Sequence, residues 1–427
     1  MKLNHIYKSI ACGVLLAMTA TSCDLDYNPV DTYSDVTEGV NKTDEKPIFN
    51  SVQDVETSMV TLHKKFRDRQ EHWYVDKLLI GDAHSDNAYA GTTGAEVVPY
   101  ETNSIEGSNS VLKRDWDRFL GDIAVANRII VGCDQLKALS ESERGKYQSQ
   151  AKIFRAMVMF DMVRLWGNFP VITTVGGDIT EDNVEEMYPT YFPPQNTAEE
   201  AYAQIEKDLT EAVENPNTPT NDTSDKSILT KSVARAMLAK VYAEKPLRDY
   251  AKVIKYADEL AADGFDLVED FSDLWAYDTE KKDCRVRNTK EAILEAHFPP
   301  GSGNWCTWMF GRNLSNWDES FTWAKWITPS RDLIRLYEEQ GDTKRYNESV
   351  VWYDCGWSNY YPADHYAFMY KCRSAFNSII YLRYADILLL KAEAKIMGEA
   401  PDRCSRHHRP HPQPRRTGQT STKHPQQ

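Results

Sequence analysis

The hydrophobic positions of residues 151–166 surround a predicted helix on nearly every side. A helix that is apolar around most of its circumference is packed by several neighbours at once. At about 100° per residue, Lys152 and Arg155 lie on one side of this helix, while Asp161 and Arg164 lie roughly opposite. Asp161 and Arg164 are three residues apart, so they can neighbour each other where water is scarce. A Gly-Asn-Phe-Pro sequence ends the helix, which we predict to be central to the fold.

Other stretches with helical periodicity make the predicted fold class mainly α. Ser140 with Glu143 and Thr197 with Glu200 form capping boxes at two predicted helix starts. Successive helix pairs with alanine at their contacts indicate tetratricopeptide-like units, although the full motif of that repeat is absent, and an irregular α bundle is the alternative. Alternation predicts a strand over one short segment, 291–298. The predicted helices cover residues 52–69, 113–137, 197–214, 230–244, 248–263, 330–338 and 383–397.

Three segments lack helical periodicity and are predicted to supply the binding surface. Residues 80–109 carry turn residues throughout and predict a long loop. Residues 346–376 are aromatic and irregular, which indicates short strands and loops. Long ordered loops on a rigid scaffold are where binding residues concentrate. Residues 299–328 contain five of the eleven tryptophans, namely Trp305, Trp308, Trp317, Trp323 and Trp326.

The N-terminus predicts export followed by lipidation. Two lysines precede an apolar run of about eleven residues, which is too short to span a bilayer and is typical of a signal peptide. The run ends in Ala-Thr-Ser-Cys, a lipobox pattern that predicts cleavage after residue 22 and acylation of Cys23. An ordinary secretory signal with an incidental cysteine is the alternative reading.

These features divide the chain into four predicted parts. Residues 1–22 are the lipoprotein signal peptide, and residues 23–50 are a lipid-anchored tether and surface strap. Residues 51–400 are expected to form a single domain. Residues 401–427 lack large apolar side chains but contain five prolines and four histidines, so we expect a disordered tail of foreign or out-of-frame origin.

Charge and cysteine spacing exclude several classes of protein. A net charge of −14 argues against a nucleic-acid-binding surface. There is no CxxC or short Cys/His spacing, so neither a zinc site nor a redox motif is predicted, and no cofactor is expected. Cys355 and Cys372 either form a disulfide or remain separate buried thiols.

Four sequence blocks, in order along the chain, resemble the SusD/RagB family of outer-membrane nutrient-binding lipoproteins. They are the lipobox with its following aspartates, the block from Ala151 to Pro170, KSVARAMLAKVY in the 230–244 helix, and LRYADILLLKAEA near residue 390. The resemblance implies tetratricopeptide-like helix pairs packed against a loop-rich ligand face. It further implies an outer-membrane, cell-surface location and carbohydrate uptake with a SusC-like TonB-dependent transporter as partner. The usual ligand in such polysaccharide-utilisation systems is an oligosaccharide or polysaccharide.

Sugar binding needs aromatic rings against the apolar faces of the sugar, and carboxylates, amides or arginine to hold its hydroxyl groups. Both loop regions supply these groups. Any single tryptophan among them is as plausibly a structural residue that fixes its loop to the helices, and Trp116 and Trp275 are predicted to be structural. The candidate glycan-binding residues are Asp82, Asp86, Tyr89, Tyr100, Trp305, Trp308, Arg312, Trp317, Asp318 and Trp323.

Two other classes of function compete with glycan binding. A glycosidase needs two carboxylates that flank the scissile bond, and Asp82 with Asp86 or Asp318 with Glu319 are imaginable pairs. With 64 acidic residues such pairs arise by chance, and no GxSxG, HExxH or P-loop motif is present, so we expect no enzyme. The main alternative is a peptide-binding or scaffold lipoprotein of a nutrient-uptake complex, since tetratricopeptide grooves often hold peptides.

Overall fold

Helices dominate the structure, a computed structural model that describes residues 47–91, 94–177, 184–278, 280, 283–298, 303–306, 326–355, 358–371 and 373–398. The mainly α prediction is confirmed. In chain order the helices are α1 (Val52–Asp68), α2 (Val98–Glu101), α3 (Ser110–Gln135), α4 (Glu141–Trp166), α5 (Val184–Tyr191), α6 (Ala198–Glu214), α7 (Lys231–Ala243), α8 (Tyr250–Ala262), α9 (Arg331–Gln340), α10 (Thr343–Ser349) and α11 (Tyr384–Gly398).

The central helix is α4, as the apolar pattern predicts. Ser140 and Glu143 form the predicted capping box at its start, and Gly167, with a positive φ of 73°, follows its last turn. Every residue from Ile153 to Val163 is buried. It packs chiefly against α3 and α6, which explains why its sequence has no polar face.

The other long helices follow one another in space as they do in sequence. The succession is α1, α3, α4, α6, α7, α8 and finally α11, each helix packing against the next. Thr197 and Glu200 form the second predicted capping box, at the start of α6. Small alanines of α7 are fully buried and allow close approach of its neighbours. These helix pairs build the scaffold.

A buried ion pair joins three of these helices and the chain that follows α4. The Arg155 guanidinium donates to both carboxylate oxygens of Asp208, at 2.8 and 2.7 Å, and to Asn127 Oδ1 at 2.7 Å. Asn127 Nδ2 in turn donates to the carbonyl oxygens of Ile172 and Thr174. Arg155 lies in the block from Ala151 to Pro170 that carries the resemblance, and its contacts show that it stabilises the packing of the helices.

Asp161 and Arg164 each form an ion pair with another segment of the chain rather than with each other. Asp161 pairs with Lys77 and accepts a hydrogen bond from the Tyr381 hydroxyl at 3.1 Å. Arg164 instead pairs with Glu244, at 3.1 Å between Nε and Oε1. The partners of both side chains therefore come from other segments of the chain.

A helical segment that the sequence reading missed follows α1. Two π-helical stretches, Glu71–Val75 and Leu79–Ala83, flank the α-helical turn Asp76–Leu78. The prediction of a loop from residue 80 is therefore wrong at its start. Fully buried Asp76 pairs with Arg114 of α3. Burial and the neighbouring Asp76 carboxylate raise the pKa of Asp115 to about 9.

The strands are short and form two-stranded antiparallel pairs. They are β1 (Ala88–Ala90), β2 (Tyr277–Asp278), β3 (Asp283–Cys284), β4 (Ala292–Ala296), β5 (Ile327–Pro329), β6 (Val350–Tyr353), β7 (Tyr366–Met369) and β8 (Ile379–Arg383). The pairs are β1 with β5, β2 with β3, β4 with β8, and β6 with β7. The strand predicted over 291–298 is confirmed as β4.

Both ends of the chain extend beyond the described residues. The predicted signal peptide and lipidation at Cys23, and the predicted tail from residue 401, lie outside the described residues. Phe49, at the end of the predicted strap, is buried against Gly132 of α3. Among the described residues, no helix combines the length and the apolar character needed to cross a membrane.

Candidate functional site

A second, smaller apolar cluster lies outside the main helical core and forms the base of the candidate site. It gathers buried side chains of α9, β6, β7 and the loop between those strands, with Tyr89 of β1 packed against it. Strand β1 pairs with β5 in the register Tyr89↔Thr328, so residues far apart in sequence meet here. This cluster holds the loop-derived residues on a fixed support.

Tyr89 and Tyr360 form the best-defined aromatic pair of this support. Their ring centroids are 4.5 Å apart with an interplanar angle of 9°. The Tyr360 hydroxyl lies 2.6 Å from Glu101 Oε2 and 2.8 Å from the Ala90 carbonyl oxygen, and burial raises its pKa. The Tyr89 hydroxyl accepts a hydrogen bond from the Arg331 backbone N–H at 3.2 Å. Both rings are only half-buried.

Asp82 lies in the π-helical stretch Leu79–Ala83, and Asp86 lies in the short turn between that stretch and β1. The Asp82 side chain is half-buried, and burial raises its pKa although the nearby Lys371 charge opposes the change. Asp86 is exposed, and its backbone carbonyl accepts a hydrogen bond from the Ser330 hydroxyl. Ser330 also caps α9, so the helix start fixes this turn. The two carboxyl groups therefore differ in environment although they are close in sequence.

Tyr100 does not face solvent. Its ring is 0 % exposed within the main core, and its hydroxyl lies 3.3 Å from Asn109 Oδ1, the residue that caps α3. A ring enclosed on both faces has no surface left for a sugar. Tyr100 therefore has the position of a structural residue, and we omit it from the proposed site.

The tryptophan-rich segment is anchored at both described ends. At one end, Trp305 is half-buried, and its backbone N–H donates to Gln70 Oε1 at 2.7 Å. At the other end, the Trp326 carbonyl accepts from the Gly91 N–H at 3.2 Å, directly after β1. The anchors place these ends beside the helical core and beside β1. The remaining candidates, Trp308, Arg312, Trp317, Asp318 and Trp323, lie outside the described residues.

Sequence reasoning missed the aromatic residues contributed by the β6–β7 hairpin. Besides Tyr360, the hairpin stacks Trp352 on His365 at 4.2 Å with an interplanar angle of 2°. The Trp352 indole N–H donates to the Tyr346 hydroxyl at 2.9 Å. The signal was the aromatic-rich VVWY sequence, in which β-branched and aromatic residues favour a strand.

Trp116, predicted to be structural, packs edge-on against Trp166 at 5.3 Å.

The chemistry available here is recognition by ring faces and hydrogen bonds. Half-buried aromatic rings and two carboxylates, one half-buried and one exposed, are carried by β1 and by the segments joined to it, which backbone hydrogen bonds hold in place. Within the described ranges, no group of three or more His, Cys, Asp or Glu side chains is placed to hold a metal ion. Fold and site together define a helix-pair scaffold that presents an aromatic face built from loops and short strands.

Comparison with known proteins agrees with that class. A SusD-like family model, described as starch-binding and associating with the outer membrane, matches residues 33–243. A SusD-like protein of Bacteroides ovatus is 25% identical over 309 residues, 69% of this chain and 50% of the relative. This chain thus spans about half the length of that relative.

Solved structures show the same fold at low identity. A laminarin-binding SusD-like protein superimposes with a TM-score of 0.63 at 18% identity over 81% of each chain. Surface glycan-binding protein A from Bacteroides thetaiotaomicron, in complex with laminarihexaose, gives a TM-score of 0.61 at 15% identity, over 81% of this chain and 79% of that one. Residues 33–243 thus match a SusD-like family, and the chain has the fold of SusD-like proteins.

Proposed function

We propose that this chain is a cell-surface lipoprotein that captures an oligosaccharide or polysaccharide and passes it to a TonB-dependent outer-membrane transporter. The observation that carries the proposal is the Tyr89–Tyr360 stack on β1 and the β6–β7 loop, together with Trp326, the last tryptophan of the 299–328 segment, whose carbonyl bonds to the chain directly after β1. Support comes from relatives whose names describe binding of laminarin or other surface glycans. The match to a family described as associating with the outer membrane supports the location.

The proposed mechanism is binding without catalysis. Aromatic rings cover the apolar C–H face of a pyranose, and carboxylate and amide oxygens accept hydrogen bonds from its hydroxyl groups. A support fixed by the β1–β5 pairing and by Ser330 lowers the cost of ordering the site on binding. The transporter and its energy source would then carry out transport, with the Cys23 lipid keeping this chain at the membrane surface.

The first test is affinity electrophoresis of the unlipidated Cys23→Ala chain in gels that contain laminarin, starch or another neutral polysaccharide, with circular dichroism as the folding control. We expect retardation by at least one glycan and no change in that glycan. Cleavage of the glycan would instead indicate an enzyme. Binding to peptides alone would favour the peptide-binding alternative.

Variants then locate the site. Tyr89→Ala removes one ring of the stack and is expected to weaken binding by about tenfold, since an aromatic contact contributes about 1–2 kcal/mol. The matched control is Tyr250→Ala, which removes a half-buried tyrosine from α8 on the helical side. Equal affinities for the two variants would place the stacking surface elsewhere. Separate alanine substitutions test the tryptophan prediction at Trp305, Trp308, Trp317 and Trp323, with unchanged helical circular dichroism as the control.

A further inference from the structure

An exposed aromatic surface lies on α5 and on Phe192 directly after it, in a segment other than those that build the candidate site. Of the twelve large hydrophobic residues exposed in the described part of the chain, four fall within nine consecutive residues. Tyr188 is 58 % exposed and Phe192 is 66 % exposed. Clustered exposed aromatics mark an interaction site more often than scattered ones do. The four are Val184, Tyr188, Tyr191 and Phe192.

Two of these rings form a continuous surface. The ring centroids of Tyr188 and Phe192 are 4.8 Å apart, with an interplanar angle of 28°. The Phe192 N–H donates to the Tyr188 carbonyl at 2.9 Å, which fixes their spacing along the chain. We call these two rings the Tyr188–Phe192 platform. Each ring keeps an open side, because both residues are more than half exposed.

The platform is held in place by its neighbours. The Tyr191 hydroxyl donates to the Gly177 carbonyl at 2.5 Å, and Tyr191 lies so close to Gly176 that a Cβ there would approach its ring to 2.9 Å. Just beyond Phe192, the Asn196 N–H donates to the Phe169 carbonyl at 3.0 Å. These contacts tie the C-terminal end of the segment to the chain that follows α4. A fixed platform binds without a large ordering cost.

The sequence on both sides of the platform is acidic, which restricts what it can bind. The sequence between Arg164 and Lys207 contains no lysine, arginine or histidine, and five acidic residues fall between positions 178 and 186. Such a local excess of negative charge disfavours anionic lipid, acidic polysaccharide and a second copy of the same surface. A neutral carbohydrate meets no such repulsion. Its hydroxyl groups can also donate to exposed carboxylates such as Glu185, while its apolar face covers the rings.

We propose that the Tyr188–Phe192 platform is a second contact surface for neutral polysaccharide, separate from the Tyr89–Tyr360 stack. The inference rests on the proposed glycan-binding function and adds a second point of attachment to it. Two surfaces on one chain can engage one long polymer together, so the second contact is intramolecular and raises the overall affinity. A short oligosaccharide, which occupies only one surface, gains nothing from the platform.

The test compares a polymer with a short oligosaccharide on the same variants. Affinities of the Cys23→Ala chain for laminarin, for starch and for laminarihexaose are measured by affinity electrophoresis and titration calorimetry. The combined Tyr188→Ser and Phe192→Ser substitution is expected to weaken binding of the retained polymer by about tenfold or more, with the hexasaccharide affinity unchanged. Tyr188→Phe keeps the ring and should keep the polymer affinity.

Leu389→Ser is the matched control, because Leu389 is 71 % exposed on α11 and the change removes a similar apolar surface. Unchanged polymer binding by the double variant would overturn the proposal and leave the platform to a protein partner. Equal loss for polymer and hexasaccharide would also overturn it, because the platform would then belong to a single site. If the parent chain binds no glycan at all, the proposed function itself fails, which is a different result from failure of the platform alone.

Discussion

Removal of the Arg155 guanidinium is expected to be among the most destabilising single changes in the scaffold. The residue is 3 % exposed and its partner Asp208 is 1 % exposed. Arg155→Met keeps most of the side-chain volume but leaves the Asp208 carboxylate buried with only the Gln204 amide, at 2.9 Å, as a hydrogen-bond donor from a side chain. Breaking a buried ion pair on one side costs about 3–5 kcal/mol, because an uncompensated charge stays in the interior.

A second substitution should restore much of that loss. Arg155→Met combined with Asp208→Leu removes both charges, and replacing both partners of a buried pair by apolar groups is often nearly neutral. Asn127 Oδ1 still loses its donor from Arg155, which costs about 1–2 kcal/mol. The double variant is therefore expected to be about 2–3 kcal/mol more stable than Arg155→Met alone.

The assay is urea unfolding at pH 7 followed by far-ultraviolet circular dichroism. With an m-value of about 3 kcal/mol/M, a loss of about 4 kcal/mol lowers the midpoint by about 1.3 M. Lys152→Met is the matched control, because Lys152 lies one turn earlier on α4 and pairs with Glu211 where both side chains are partly exposed. That pair should contribute at most about 1 kcal/mol. A coupling energy between Arg155 and Asp208 of less than about 0.5 kcal/mol would refute the reasoning.

Three further predictions follow from other parts of the chain. The pKa of Asp115 is raised to about 9 in the folded state, so its contribution to stability is present below its unfolded pKa and is lost as the pH rises towards 9; Asp115→Asn should flatten the fall in urea midpoint between pH 5 and 9, and parallel profiles would contradict this. Gly132→Ala should destabilise by about 1–3 kcal/mol despite its better helix propensity, because a Cβ there would lie 2.3 Å from the Phe49 ring, and Phe49→Leu should recover part of the loss in thermal unfolding. Cys23→Ala should move the protein from the membrane fraction to the soluble fraction, and continued membrane association would exclude the lipid anchor.

The helical scaffold was predictable because its signals are local. Apolar spacing gave the long helices to within a few residues, and Ser140 and Thr197 marked two helix starts correctly. The π-helical segment was not predictable in the same way. This segment turns buried His72, buried Asp76 and half-buried Lys77 towards partners on α3, α4 and β8. Because these inward-facing residues are polar, they hide the apolar pattern of a helix. Hydrophobic periodicity indicates which positions are buried. It does not indicate which distant residue neutralises a buried charge.

In the candidate site, too, local sequence signals could be recognised and distant contacts could not. Tyr89 could be named as a candidate because it lies in a segment rich in turn residues. Its stacking partner Tyr360 could not, because the two are 271 positions apart. Tyr100 has the same local sequence character as Tyr89 but is enclosed by the core. The residue composition of a segment therefore identifies the parts of the chain outside the helical scaffold. Tertiary contacts determine which of their aromatic rings remain exposed to solvent.

The residues that reveal the family are consequently poor guides to its ligand. Arg155 and its neighbours on α4 are buried and join helices, so they constrain the scaffold whatever the outer face binds. The aromatic surfaces lie outside that buried block, on strands, loops and a short helix; they are formed by Tyr89, Tyr360 and the Tyr188–Phe192 platform. Substitutions that adapt these segments to another ligand can leave the ion pair intact. Affinity for a particular glycan should thus respond to changes in these aromatic surfaces, while the free energy of unfolding should respond to changes around Arg155.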